Sequence, residues 1–556
     1  MISKFLNTQT KSISSASLIL AIFYFASAGL GLLRDRLLAG TFGAGNELDV
    51  YYTAFTVPDF VALILIFGAI SAAVIPIFSS YLVKSKEEAW EYVSALLNVF
   101  LGILIVVCII LIIFTPFIIS IIAPGFSGEK KDLAVQLMRI MFLSPIILGA
   151  SNMISGVLQV FHRFLATALA PVLYNIGIIF GIFFFVPKFG LQGLAWGVVL
   201  GGILHLSIQL PALFFSGFKY KPSFKYRDPG VVKTIKLMAP RSLGLGAGQL
   251  NKIATTAIAS MLMSGSIAVF SLANNLSSIL VAAVVASIST ASFPAMSLAF
   301  IKERVDGQAD EFLDKFSAIF RQILFLIIPM ALLMIVLRAQ IVRVVLGVGK
   351  FGWIDTKLTT ACLGILAFNL VAQAMILFLS KTFYAARNTK IPAIISALTV
   401  VFNITLSLLF VWLVNFYPSF NIFLQKLLRL NGVENIGVMA LALAYTITAV
   451  IESALLLYMF CKKFPELRLS HISNSLYKIL IASIIMIFIT FFTRQILGSV
   501  VSLQTFWGIF LQLIISGIVG ITTYAIITHL LKSPENKTVM RSFFGKIMYL
   551  VKQPSD

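Results

Sequence analysis

Charge is what this sequence has least of. Of its 556 residues only 11% are Asp, Glu, Lys or Arg, while 59% are hydrophobic. Soluble domains carry about 25% charged residues, so a soluble globular chain is excluded and a polytopic membrane protein is expected. Cysteine and histidine are scarce as well. Cys108, Cys362 and Cys461 lie far apart in apolar runs, and the four histidines are scattered. No disulfide frame, zinc site or Cys/His dyad can be assembled from them. A Walker A loop and a GxSxG elbow are both missing, which leaves ATP-driven pumping and serine-hydrolase chemistry without a motif. Clustered carboxylates that would hold a catalytic metal, or pair as acid and base, are also missing. Most acids sit in charged loops, such as Glu87, Glu88 and Glu91. Neither an enzyme nor a bound metal or cofactor is expected.

What charge there is leans to one sign: 42 basic against 21 acidic residues, a formal net charge of +21. In a soluble protein this would suggest nucleic acid as a partner. In a membrane protein the positive-inside rule accounts for it, and no nucleic acid is expected. Apolar runs long enough to cross about 30 Å of hydrocarbon give about 14 helices. An even number places both ends on one side. Lys and Arg crowd the segments on that side, which puts both termini in the cytoplasm. The first run follows Lys4 and Lys11 without a convincing cleavage site and reads as a retained helix.

A weak internal repeat divides the chain. Val50, Tyr51, Ala54 and the run Ile75 to Ser79 recur as Val269, Phe270, Ala273 and Phe293 to Ser297, at an offset of about 218 residues. Gly190 to Gly197 is echoed by Gly437 to Ala444. An offset of six helices with unchanged orientation predicts two parallel six-helix lobes related by a pseudo-two-fold along the membrane normal. The expected organisation is a lobe over 1–217, a basic cytoplasmic linker over 218–236, a second lobe over 237–463, two additional helices over 464–531 and a basic tail over 532–556. The linker reads either as a plain positive-inside connection or as an amphipathic helix on anionic headgroups.

Polar residues within the spans are the first functional suspects, because charge in hydrocarbon is costly unless it faces water, a partner or a cargo. Arg34 and Asp35 close the first span; Asp49 opens the second, which also carries Asp59. The seventh carries Arg241 and Lys252, and the eighth Asn275. These four spans are repeat mates, so Arg34, Asp35, Asp49, Arg241, Lys252 and Asn275 are candidate cargo-binding residues lining one cleft. Cationic members suit a phosphate-bearing cargo. The alternative for Lys252 and Arg241 is snorkelling to an interface. Asp59 and Glu452 are candidate ion-coupling carboxylates, with pairing to a neighbouring helix the alternative for Glu452. Asn175, Asn403 and His205 read as interhelical hydrogen-bond bridges.

The stretch GLLRDRLLAGTFGAGNELDVYYTAFTVPDF (Gly31 to Phe60) resembles the entry to the second helix in the MurJ/MviN family of lipid II flippases. Leu237 to Leu276 resembles that family's seventh and eighth helices, and FYAARNTKIPAI (Phe383 to Ile394) its tenth-to-eleventh turn. The resemblance places the chain in the multidrug/oligosaccharidyl-lipid/polysaccharide exporter superfamily. It implies a cationic cavity between two lobes and a groove on the last two helices for a lipid tail. It further implies alternating access that moves undecaprenyl-pyrophosphate-linked sugar-peptide from the inner to the outer leaflet of the bacterial cytoplasmic membrane. The implied partners are lipid II, membrane lipids and cell-wall synthesis enzymes. Position by position, the family's Arg-Asp matches Arg34 and Asp35, and its second-helix Asp matches Asp49.

The chain departs from the family pattern at Ala28, Ala62, Leu63, Phe67 and Asn275, where members usually carry charge. Several groups that would grip pyrophosphate are therefore missing, and Lys252 and Arg241 are the residues placed to compensate. An exporter of another polyprenyl-linked glycan, or of an amphipathic cation, is the alternative cargo reading. A non-transporting cell-wall scaffold is a third reading, against which the polar span residues argue.

Overall fold

The computed structural model describes residues 13–64, 74–306, 310–433, 436–467 and 469–537. Among the described residues every regular element is helical, and eleven helical stretches are long and apolar enough to cross a membrane. The expected count of about 14 is compatible with this. The three expected spans outside the eleven correspond to α1 (Ile13–Phe42), to α2 (Asn46–Ala62) with α3 (Ile75–Lys84), and to α9 (Pro229–Ser260). The chain is an all-α, multi-pass membrane protein.

Contacts divide it into two compact units, Met1–Ala268 with Val348–Gly352, and Val269–Gly347 with Trp353–Asp556. In the first unit, α4 (Lys86–Ile122) opens on a Ser85 cap that accepts from the Glu87 and Glu88 amides at 3.2 and 3.3 Å. α5 (Gly128–Met141), α6 (Leu143–Val160), α7 (Phe164–Phe180) and α8 (Leu191–Ser207) follow. The close approach of α7 and α8 is dictated by glycine. A Cβ on Gly177 would strike Gly201, and one on Gly197 would meet the Gly181 Cα at 2.9 Å. In lipid, helices gain little from burying apolar surface and associate by such backbone-level packing.

The linker is not an amphipathic helix over 218–228. Pro222 and Pro229 interrupt the pattern, and side chains fasten the irregular segment to α4. Asn98 donates to the Ser223 carbonyl at 2.9 Å, and Glu91 pairs with Lys221 at 2.6 Å and Lys225 at 3.4 Å. Helix begins only at Pro229, where Asp228 caps the Gly230 and Val231 amides and Tyr81 donates to the same carboxylate at 3.0 Å. α9 then packs on α4, where the Tyr92 and Thr234 hydroxyls lie 2.7 Å apart, and runs within the first unit.

The second unit contains α10 (Ser266–Leu280) from Val269 on, α11 (Ser287–Asp306), α12 (Asp310–Val345), α13 (Trp353–Ala385), α14 (Lys390–Phe416), α15 (Pro418–Leu428) and α16 (Gly437–Lys463). A π-helical turn, Val281–Ala286, separates α10 from α11. At the matching place in the repeat of the first unit, after α2, Leu63 and Ile64 are also π-helical. An aromatic core of Phe312, Phe316, Phe378, Phe383 and Phe460 ties α12, α13 and α16, with Phe316 and Phe460 stacked at 4.2 Å. α17 (Leu469–Val500) and α18 (Phe506–Leu530) pack on each other and on α12, leaving Phe488, Phe492, Ile518 and Ile521 outward as a lipid-facing surface.

Candidate functional site

The polar centre of the first unit grows from the end of α1. Arg34 directs Nε and Nη2 at one Asp35 oxygen, at 3.1 and 2.9 Å. Its Nη1 donates to Asn175 Oδ1 of α7 at 3.2 Å. Asn175 in turn donates to the Ser27 hydroxyl at 3.2 Å and the Pro171 carbonyl at 3.1 Å, so it holds α1 against its own helix. Asp35 is 3% exposed, whereas the Arg34 side chain keeps 22% of its surface open. A buried carboxylate compensates the guanidinium, and part of the guanidinium remains for another anion. Tyr51 and Tyr52 of α2 and Tyr174 of α7 stand within electrostatic reach of Arg34. The Tyr52 hydroxyl is buried without a hydrogen-bond partner among the described residues.

The Gly-rich bend sets the next residue. Gly43 adopts φ 69° and returns its amide to the Ala39 carbonyl at 2.8 Å, closing α1. At Gly40 a Cβ would press on the Val348 side chain at 2.8 Å, and the Gly40 carbonyl accepts from the Lys350 amide at 2.8 Å. After the bend, Asp49 lies 2% exposed. It accepts from the Gly265 and Ala268 amides at 2.7 and 2.9 Å and from Lys130 Nζ at 3.3 Å. A carboxylate on the first amides of a helix satisfies orphan donors and complements the dipole. The sequence reading places Asp49 on a cargo-lining face; in the structure its oxygens accept hydrogen bonds at the start of α10 and from Lys130.

Lys252 of α9 meets Asp59 of α2 at 2.9 Å, with the two side chains 49% and 35% exposed. Two candidates assigned different roles thus form one accessible ion pair of modest strength. Arg241 lies on α9, but its side chain is outside the described residues, as is Phe67. Asn275 and Glu452 belong to the second unit. Glu452 accepts from the Ser396 hydroxyl of α14 at 2.7 Å, the neighbouring-helix partnership that was its alternative. His205 reaches Ser151 at 2.7 Å, and Thr448 reaches Asn403 at 3.5 Å, as interhelical bridges. Sequence reasoning missed Lys130, Tyr52 and the Arg34–Asn175 contact. Tyr52 had a local signal, the doubled tyrosine beside Asp49, whereas Lys130 had none. Among the described residues no three His, Cys, Asp or Glu side chains are grouped to hold a metal ion.

Comparison with known proteins matches this arrangement to one family. The family model described as lipid II flippase MurJ covers residues 38–515. A probable lipid II flippase MurJ of Buchnera aphidicola is 31% identical over 374 residues, 66% of this chain and 72% of that protein. The Vibrio cholerae protein of the same description is 27% identical over 78% of this chain and 85% of its own length. A solved structure of lipid II flippase MurJ in an inward closed conformation superposes with a TM-score of 0.71 at 26% identity, covering 92% of this chain and 99% of that one. An inward-facing multidrug MATE transporter shares the fold at 16% identity and a TM-score of 0.61, over 80% of this chain and 95% of its own. With a family model spanning most of its length, this chain belongs to the MurJ family of lipid II flippases.

Proposed function

We propose that the chain moves a polyprenyl-pyrophosphate-linked sugar-peptide, lipid II, from the inner to the outer leaflet of the bacterial cytoplasmic membrane by alternating access, with both termini cytoplasmic. Family membership supports the transport class. The observation that carries the site is the partly open Arg34 guanidinium, backed by Asp35 and Asn175 beside an unpartnered Tyr52 hydroxyl. In this reading Arg34 contacts pyrophosphate directly, since its planar fork suits two phosphate oxygens at once. Tyr52 donates to a third oxygen. Lys252 exchanges Asp59 for the cargo during the cycle, because an exposed ion pair costs little to open. Asp49 positions the bend that presents Arg34 and does not touch cargo.

Another polyprenyl-linked glycan is the second reading, favoured by the uncharged Ala28, Ala62, Leu63 and Asn275 where the resemblance leads one to expect charge. Binding separates the two. Purified protein is titrated with lipid II and with an undecaprenyl-pyrophosphate-linked glycan that carries no peptide, wild type beside Arg34→Lys, and bound species are counted by native mass spectrometry. Preference for lipid II, reduced about tenfold in Arg34→Lys through loss of paired charge-assisted bonds, supports the reading. Equal affinity for both lipids, unchanged in the variant, overturns it.

A further inference from the structure

The first turns of α17 line a cavity that transport leaves unused. It encloses about 290 Å³ between α12, α17 and the turn after α18, and is lined by Arg321, Ser470, Asn474, Ser475, Lys478 and Pro534. Ser470, Asn474 and Lys478 recur every four residues, one stripe of a helix. Ser475 is 3% exposed and its hydroxyl has no hydrogen-bond partner, an expensive condition for a buried polar atom unless a ligand supplies one.

The donors here outnumber the acceptors. Lys478 forms no ion pair among the described residues. Arg321 donates Nε to the Ser317 carbonyl at 3.2 Å, and its Nη1 stands 3.5 Å from Glu535 Oε1. The other Glu535 oxygen accepts from the Ser533 hydroxyl at 2.6 Å, so Glu535 offsets part of the Arg321 charge and leaves that of Lys478 uncompensated among the described residues. Two cations, an amide and two hydroxyls therefore face one space beside a single partly engaged carboxylate, and the amino end of α17 adds its dipole. Next to the cavity, Tyr477, Leu480 and Ile484 are 66%, 41% and 50% exposed on the outside of the bundle. An outward tyrosine above aliphatic side chains is the pattern of a headgroup-level boundary.

We propose that this cavity binds a phosphate group, carried by an anionic phospholipid of the surrounding leaflet. Lys478 and Arg321 supply the charge, Ser475 and Asn474 direct hydrogen bonds, and the acyl chains lie along the outer face of α17. The site shares no residue with the Arg34 centre and does not depend on which glycan is moved.

The test is native mass spectrometry of the full chain with phosphatidylglycerol and phosphatidylethanolamine of matched acyl chains, with inorganic phosphate as competitor. Wild type is expected to hold one phosphatidylglycerol in preference to phosphatidylethanolamine. Lys478→Glu should weaken that binding about tenfold or more, as loss of a charge-assisted contact implies, and Ser475→Ala to a smaller degree. Lys188→Glu, on an exposed turn of the first unit, should match wild type. Excess inorganic phosphate should leave the lipid in place. Displacement by inorganic phosphate would overturn the lipid as the source while keeping a phosphate site. Wild-type retention of phosphatidylglycerol in both Lys478→Glu and Ser475→Ala would overturn the site itself. Helical circular dichroism and elution volume establish that each variant is folded, and Lys478→Gln replaces the charge reversal if that variant is not.

Discussion

Arg34 and Asp49 come from one Gly-rich helix entry, yet their surroundings fit them to the opposite duties proposed for them. Arg34 keeps a fifth of its side chain open and is held from behind, whereas Asp49 is sealed by two backbone amides and Lys130. Substitution should separate them. Asp49→Ala leaves the Gly265 and Ala268 amides without their acceptor, at about 1–3 kcal/mol for each unsatisfied buried group. Unfolding can be followed with a thiol-reactive dye, since Cys108 and Cys362 are buried and free. The melting midpoint of Asp49→Ala should fall by several degrees, with Asp49→Asn in between. Arg34→Lys preserves charge beside Asp35 and should melt near wild type while losing cargo affinity. The sequence could not distinguish these duties. An acid opening a helix looks the same whether it faces a cleft or caps a helix over two hundred residues away. The Lys252–Asp59 pair was hidden for the same reason, because nothing local marks a partner on a distant helix.

Among the elements, α7 and α8 show most plainly how composition becomes packing. Gly177, Gly181, Gly193, Gly197 and Gly201 bring two backbones into contact, and a side chain at Gly181 would strike Gly197. Gly181→Leu should destabilise the chain by about 1–3 kcal/mol or more, the cost of overpacking. In α4, Gly102 has nothing within 4 Å of an added Cβ. Gly102→Ala should therefore be neutral or stabilising by up to about 1 kcal/mol, since alanine restricts the unfolded chain more. The same dye melt reads both outcomes. Helix existence was legible here because an apolar run of spanning length has few other solutions in a bilayer. Helix continuity was less so. The backbone turns π-helical at Leu63 and Ile64 after α2, and the linker stays irregular until the Asp228 cap, because prolines and side-chain ties override its basic, amphipathic appearance.

At the scale of the whole molecule, the all-helical membrane architecture and the family were both readable from residues, the first from hydropathy and the second from the Gly31 to Phe60 stretch. The compact units were harder to delimit. α9 packs within the first unit although the repeat assigns it to the second lobe, because Tyr92, Asp59 and the loop at Gly125 hold it there. The proposed transport rests on Arg34 gripping lipid II. Its most direct test is growth of bacteria whose own lipid II flippase can be switched off, expressing wild type, Arg34→Lys or Lys252→Glu at equal membrane levels. Rescue by wild type and loss of rescue in both variants, with lipid II accumulating in the inner leaflet, is the expected result. Rescue by Arg34→Lys and Lys252→Glu as complete as by wild type would contradict it.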